Sequence, residues 1–467
     1  MAAQKPRGPP LRRRRARSVP YRHPFSPRNG HNEWVAGAEA EVAELCSDLL
    51  RFETVNRGGG DGQERDAAEY VAEKLAEVGI EPTILESAPG RTSLVARIEG
   101  ENPNRGALLI HGHLDVVPAD AADWAVHPFS GEIADDGNVW GRGAVDMKDM
   151  DAMTLAVIRE RLRTGRKPPR DIVLAFLADE EAGGTYGARW LVDNHPHLFE
   201  GCTEAIGEVG GFSYEISDDL RLYCIQTAEK GIGWMRLSVA GRAGHGSMIA
   251  DDNAVTALCE AVARLGRHKF PVKMTPSVRM FLEELTEALG VPFDLEDPEK
   301  AVPQLGAIAR VVGATLRHTA NPTQLDAGYK VNVIPGTASA GVDGRFLPGG
   351  EADFEATLDE ILGPDVKREW INFDHGVETT FDGELVDAMA AALKAEDSGA
   401  RPVPYMLSGG TDAKSFARLG IRCFGFAPLR LPRDLDFTAM FHGVDERVPV
   451  SGLQFGVRVL DRFIDGC

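Results

Sequence analysis

The chain reads His-Gly-His-Leu-Asp over residues 111–115, Gly-Arg-Gly-Ala-Val-Asp-Met-Lys over 141–148 and Asp-Glu-Glu-Ala-Gly-Gly over 179–184, with Glu208 and His442 further on. Carboxylates gathered at one place repel and desolvate one another unless a cation neutralises them, so this set calls for one bound metal ion or two. Imidazole combined with carboxylate suits zinc, manganese or cobalt better than calcium or magnesium. With His113, Asp146, Glu181, Glu208 and His442 as donors, one bridging acid between two ions about 3.5–4 Å apart gives each ion three protein ligands and leaves room for water. Asp115, in His-x-Asp spacing, is placed to hold the spare nitrogen of His113 and fix its tautomer. Glu180 is left unligated beside the set, where a general base for an activated water belongs. His111 competes with His113, but the His-x-Asp spacing selects His113 and leaves His111 to strand-end packing. Glu204 competes with Glu208, with a solvated acid as the plain alternative for either. Cys202 is the thiol nearest to this acid in sequence.

The elements that position these residues follow from hydrophobic periodicity. The apolar run Ala107–Ile110 leads straight into His111–Asp115, and the run 172–178 leads straight into Asp179–Gly184. Polar clusters therefore sit at the carboxyl ends of buried strands, where open α/β sheets place their ligand crevices. Helical spacing marks Val42, Leu45, Leu49 and Phe52, then Ala67, Val71, Leu75 and Val78 before Gly79, and a long helix from about Lys148 to Leu162. From about Glu229 the pattern changes. Trp234–Val239 and Ala338–Phe346 alternate in period two, each followed by a helical stripe (Val255, Leu258, Val262, Leu265; Phe354, Leu358, Ile361), which predicts a small α+β module of ferredoxin-like type. Helices at Leu385, Met389 and Leu393 and at Leu453, Val457, Leu460 and Ile464 resume the first style. Residues 275–330 are longer and less patterned than the module needs and are expected to enlarge it.

Composition bounds the rest. A chain of 467 residues that is 43% hydrophobic and 26% charged has ample core-forming material for two or three domains, and no apolar run approaches membrane-span length. The net charge is −20, yet residues 1–28 hold nine Lys or Arg and no acid, so the remaining body carries −29. This disfavours nucleic acid as a partner. Residues 1–30 are expected to be a basic disordered tail; without an apolar run behind the charges, no export signal is expected. Cys46, Cys202, Cys224, Cys259, Cys423 and Cys467 are scattered, with no disulfide framework or thiolate zinc pattern. A reducing cytoplasm is the expected compartment.

In order and spacing, His113-x-Asp115, Gly141–Lys148, Asp179–Gly184, Gly207-Glu208 and Phe441-His442-Gly-Val-Asp-Glu446 resemble the co-catalytic zinc peptidase family of ArgE, DapE, aminoacylase and carboxypeptidase G. The resemblance spans about residues 36–465. It implies that His113, Asp146 and Glu208 hold one zinc, that Asp146, Glu181 and His442 hold the other, that Asp146 bridges, and that Glu180 is the general base. A cis peptide is implied between Asp146 and Met147. Gly241–Ser247 resembles a lid loop whose histidine, here His245, reaches the catalytic centre, often from a dimer partner, to stabilise the oxyanion. Asn332 and Arg345 resemble positions that hold the substrate's amide and carboxylate, and Ser408-Gly-Gly410-Thr411-Asp412 resembles a substrate-side loop. A surface histidine, an Asp343–Arg345 salt bridge and a simple turn are the plain alternatives for His245, Arg345 and Thr411. Trp124, Phe129 and Trp140 suit core packing more than a pocket wall. Asp149 departs from the family's glycine, and could start the helix as a favourable acid near its N-terminus or alter the pocket edge.

The expected fold class is therefore α/β, a mixed sheet flanked by helices with an inserted ferredoxin-like lid. Its expected boundaries are a tail over 1–30, a catalytic domain built from the two stretches 31–225 and 376–467, and a lid over 226–375 between them. The expected activity is metal-dependent hydrolysis of an amide next to a free carboxylate, in a peptide or N-acyl amino acid. A desuccinylase or carbamoyl amidase on the same fold is the alternative, and a catalytically silent amino-acid or peptide binder is the alternative of another class. The expected cofactors are two divalent ions, zinc foremost with cobalt or manganese open. Expected partners are the small substrate and a second copy through the lid, with neither nucleic acid nor membrane.

Overall fold

The structure, a computed structural model, describes residues 31–290, 294, 297–302 and 309–467; the basic tail and parts of the 275–330 segment lie outside the described residues. The expected α/β architecture is present. Among the described residues ten strands form one mixed sheet. At its centre Ile172–Leu177, Ala107–His113, Cys202–Gly207 and Arg422–Gly425 lie side by side and parallel. These strands are apolar on both faces because both faces are covered. Leu108, Ile110, Ile172, Leu174 and Phe176 join the core formed with helices His31–Leu50, Lys148–Arg163 and Val450–Gly466. Leu109, Val173, Ala175 and Leu177 point the other way, against Leu191 and Phe416 of the short helices Ala188–Asn194 and Ala413–Ala417.

A second sheet of four antiparallel strands runs in the order Thr319–Ala327, Thr337–Phe346, Gly231–Ala240, Lys367–Asp374. Met235, Leu237 and Val239 alternate inward from the central strand and pack with Leu258, Leu265, Phe354 and Leu358 of helices Ala254–Arg267 and Glu351–Leu362 in a separate core. Asn253 starts the first of these helices by accepting from the backbone N–H of Val255 and Thr256.

One expectation is corrected. Helix Pro276–Leu289, entered through Thr275 and Pro276 and stopped at Gly290 (φ +63°), does not enlarge the lid. Its apolar face of Val278, Phe281, Leu282 and Leu285 is buried in the core of the main sheet and packs on strand Ala400–Leu407. The apolar stripe needs a partner surface, and that strand supplies it.

A small three-stranded sheet matters for the site. Arg447–Pro449 pairs antiparallel with Asn138–Trp140, which pairs with Glu132–Ile133. It brings the chain around residue 442 beside the loop 141–147, although some 300 residues separate them in sequence. No helix among the described residues is long and apolar enough to cross a membrane.

Candidate active site

Three parallel strands deliver the acids and one histidine to a common edge. His113 is the last residue of its strand, Asp179–Glu181 follow Ile172–Leu177, and Glu208 follows Cys202–Gly207. The turn after Glu181 needs Gly183 and Gly184, at φ +95° and +66°, a region closed to most side chains. Asp179, Val209 and His442 also adopt positive φ (70°, 57° and 58°). Such conformations cost about 1–3 kcal/mol each and cluster where a site over-determines the backbone. The Asp146–Met147 peptide is cis, as the resemblance implies.

The five metal-ligand candidates converge. Asp146 turns one oxygen to each imidazole: Oδ1 is 3.2 Å from His113 Nε2 and Oδ2 is 3.3 Å from His442 Nε2. Glu208 Oε2 lies 3.4 Å from His113 Nε2, and Glu181 Oε2 lies 3.0 Å from His442 Nε2. Glu180 Oε2 is 3.9 Å from His113 Nε2. Ligand atoms of His113, Asp146 and Glu181, and of His113, Glu180 and Glu208, lie within 4.8 Å of one another. The two alternatives considered from sequence lie elsewhere. His111 is buried against Phe416 (ring centroids 5.0 Å apart), its pKa lowered to about 3 by burial and then by His113. Glu204 pairs with Arg170 at 2.8 Å. Cys202 is half-buried, its thiol pushed up to about 11 by burial.

Asp115 acts differently from the sequence expectation. The Nδ1 of His113 meets the backbone carbonyl of Asp115 at 2.9 Å, whereas the carboxylate is 3.7 Å away. The two carboxylate oxygens are already taken: Oδ1 accepts from the backbone N–H of Glu180 at 3.1 Å, and Oδ2 accepts from that of Glu181 at 3.1 Å and from Asn56 Nδ2 at 2.8 Å. One residue thus orients the histidine through its main chain and the acid loop through its side chain. Asp179 continues the network, accepting from Asn56, Arg91 and the backbone N–H of Tyr186. Arg91 in turn grips Glu64 with two hydrogen bonds of 2.9 and 2.7 Å, all of it buried. Removing one partner of such a buried pair typically costs about 3–5 kcal/mol, so this network fixes the acid loop firmly. On the opposite side Glu446 accepts from the backbone N–H of Gly143 and Val145 and from Arg142, while Arg142 donates to the Gly443 carbonyl. It ties the loop of Asp146 to that of His442. Asn56, Glu64 and Arg91 carry no motif in the sequence, whereas Asp179 stands in the Asp-Glu-Glu run, where sequence reasoning assigns it no role of its own.

The electrostatics ask for positive charge. Burial, then Glu208, holds the Glu180 carboxyl well above its ordinary value; burial, then Asp146, raises Glu181; burial pushes Glu208 up to about 7. The imidazole of His442 is raised to about 10 by its hydrogen bonds to Asp146 and Glu181. Although burial alone would raise Asp146, the two imidazoles pull its carboxyl down. Glu181 Oε1 is buried with no hydrogen-bond partner. Crowded acids, imidazoles that face a shared carboxylate and an orphaned carboxylate oxygen fit a divalent cation, since binding one displaces the protons that the cluster otherwise holds.

The substrate-side candidates divide. Arg345, Gly410 and Thr411 line a pocket together with Glu180, Glu181 and His442. Arg345 is also bonded to Asp343 (Nε to Oδ1 2.7 Å), and Thr411 Oγ1 accepts from Ala413 N–H, so the salt-bridge and turn readings hold alongside the pocket position. His245 and Asn332 do not join the cluster within this chain. They lie exposed, His245 in the short pairing of Gly244–His245 with Val333–Ile334 and Asn332 in the turn just before it, with His245 Nδ1 2.8 Å from Ser247 Oγ. Trp124 stacks under Arg142 and Trp140 under Arg447 (4.7 Å), and neither they nor Phe129 line the cleft. Asp149 stands in the first helical turn but is buried, and burial pushes its carboxyl well above the ordinary value. Sequence reasoning missed the apolar wall of the cleft, where Val209, Phe212, Tyr405, Leu407 and Phe441 meet from separate segments.

Fold and site together define a metallohydrolase of mixed α/β architecture. The sequence model of peptidase family M20/M25/M40 matches residues 109–466, and the chain belongs to that family. Aminoacylase-1 of Homo sapiens is 26% identical over 430 residues, covering 90% of this chain and 93% of its own. The N-fatty-acyl-amino acid synthase/hydrolase PM20D1 of Xenopus tropicalis is 28% identical over 450 residues, covering 90% and 84%. Among solved structures, the M20 family metallo-carboxypeptidase Sso-CP2 from Sulfolobus solfataricus superimposes with a TM-score of 0.70 at 20% identity, covering 91% of this chain and 99% of its own.

Proposed function

We propose that the protein hydrolyses an amide bond adjacent to a free carboxylate, in a peptide or N-acyl amino acid, with two divalent ions, zinc foremost. The observation that carries this is Asp146, whose two oxygens face the imidazoles of His113 and His442 at 3.2 and 3.3 Å, the arrangement of a bridging ligand. His113, Asp146 and Glu208 would hold one ion, and Asp146, Glu181 and His442 the other. Ions bound there supply Lewis acidity and lower the pKa of a water toward about 7. Glu180 removes the proton from the attacking water and delivers it to the leaving amine. Arg345 holds the substrate carboxylate by exchanging Asp343 for it, a bidentate match, and Gly410 and Thr411 border the scissile group. Names of relatives that include an aminoacylase and an N-fatty-acyl-amino acid hydrolase support this substrate class.

The four-stranded sheet with helices Ala254–Arg267 and Glu351–Leu362 acts as a lid in this reading, and a second copy docks on it. Met248, Ile249, Tyr329 and Val331 are exposed beside His245, an apolar patch that a partner would cover. The partner's copy would then bring His245 to the oxyanion, an interaction realised in the transition state. The free thiols fit a reducing compartment such as the cytoplasm.

The test is an amine-release assay on N-acyl amino acids and dipeptides before and after chelation. Activity is expected to fall to background on chelation and to return with added zinc, cobalt or manganese. Release of amine that chelation leaves untouched, or none with any ion, would refute the proposal; the latter result is what a silent binding protein gives.

A further inference from the structure

The cleft has two halves that share Glu180, Glu181, Gly409, Gly410 and His442. One half carries Arg345, Asn372, Trp234 and Lys414 together with Asp374 and Asp412; Asp374 pairs with Arg189 and Lys414 with Glu229. The other is walled by Val209, Phe212, Tyr405, Leu407 and Phe441 and encloses about 370 Å³, within the range of about 300–1,000 Å³ typical of small-molecule sites. Its wall is stiff. Phe212 meets Tyr405 edge-on with centroids 6.0 Å apart and Phe437 at 5.3 Å, and Phe437 meets Phe441 edge-on at 5.2 Å. Apart from the acids and imidazole of the cluster, the side chains with polar atoms lining this half are Ser408, Thr438 and Tyr405, and none is charged.

A scissile amide placed at the shared residues has a carboxylate on one side and an acyl group on the other. The guanidinium marks the half for the carboxylate, which leaves the apolar half for the acyl group. We propose that the preferred substrate is an N-acyl amino acid with a long or bulky apolar acyl group seated against Phe212, Tyr405 and Leu407. A dipeptide is disfavoured, because its free ammonium would enter this half and find no carboxylate beyond those committed to the cluster, an unpaired charge in an apolar site. This inference rests on the hydrolase reading above and specifies its substrate.

The experiment measures kcat/KM of the zinc-loaded protein for N-acetyl-, N-butanoyl-, N-hexanoyl- and N-octanoyl-alanine. It adds 4-methylpentanoyl-alanine beside leucyl-alanine, which differ only in the ammonium. Burying one methylene is worth roughly a threefold to fourfold gain, so octanoyl is expected to exceed acetyl by at least about 100-fold. The deaminated compound is expected to exceed its dipeptide by at least about tenfold. In Leu407→Lys the octanoyl-to-acetyl ratio is expected to fall at least about tenfold; being a ratio within one protein, it does not depend on the folded fraction. A flat or falling chain-length series, or a dipeptide that outruns its deaminated match, overturns the acyl assignment while amide hydrolysis stands. Failure to cleave any of these compounds with zinc, cobalt or manganese would instead remove the hydrolase reading, and this inference with it.

Discussion

Glu180→Gln is expected to bind zinc as tightly as the parent protein and to lose about 10²- to 10⁴-fold in kcat, with KM changed far less. The glutamate faces the cluster 3.9 Å from His113 Nε2, farther than Asp146 or Glu208, and its backbone N–H is fixed by the Asp115 carboxylate at 3.1 Å. The side-chain amide of glutamine keeps that size and position but accepts no proton. Steady-state kinetics together with zinc content per chain check both halves. Turnover within a few-fold of the parent would remove Glu180 from the proton-transfer role, and lost zinc would make it a ligand.

Asp146→Ala carries the second large effect. Deleting a single carboxylate withdraws a ligand from both ions at once, so activity is expected to fall to background and zinc affinity by more than the 10- to 100-fold that loss of an outer-shell partner costs. Stability separates this from misfolding. In the parent, zinc at 100 times its Kd should stabilise by about 2.7 kcal/mol and raise Tm visibly. In the variant the ion-free protein should still melt cooperatively but below the ion-free parent, since the imidazoles of His113 and His442 lose the carboxylate they face, and the zinc-dependent rise should vanish. A variant that shows no cooperative melt without zinc would point to a structural role for Asp146, and one that keeps the zinc-dependent rise would exclude the bridging role.

What the sequence discloses, and what it withholds, follows sequence distance. Strands Ala107–His113 and Ile172–Leu177 and helix Lys148–Arg163 are legible because apolar runs and stripes are local signals. Among the metal-ligand candidates, His113, Glu181 and Glu208 are legible because they end or closely follow apolar strands, and Asp146 because its Gly-Arg-Gly-Ala-Val-Asp run stands just before a helix. The carboxylate of Asp115 is misjudged, since what occupies it, Asn56 and the main chain of Glu180 and Glu181, lies about 60 residues away on either side. Arg91 and Glu64 look like surface charges until the fold buries them together. The stripe Val278, Phe281, Leu282, Leu285 is visible, but its partner strand Ala400–Leu407 is more than 100 residues on, so the sequence cannot say which core the helix joins. The apolar wall is hidden for the same reason, because Phe212, Tyr405 and Phe441 meet only in three dimensions.

The proposed hydrolysis requires that Asp146 stand between two ions. Anomalous diffraction at the zinc edge from crystals grown with zinc tests that directly. Two peaks about 3.5–4 Å apart, one beside His113 and Glu208 and the other beside Glu181 and His442 with the Asp146 carboxylate between them, are the predicted result. A map with no peak at this cluster, or with a single peak that leaves His442 or His113 without an ion, would contradict it.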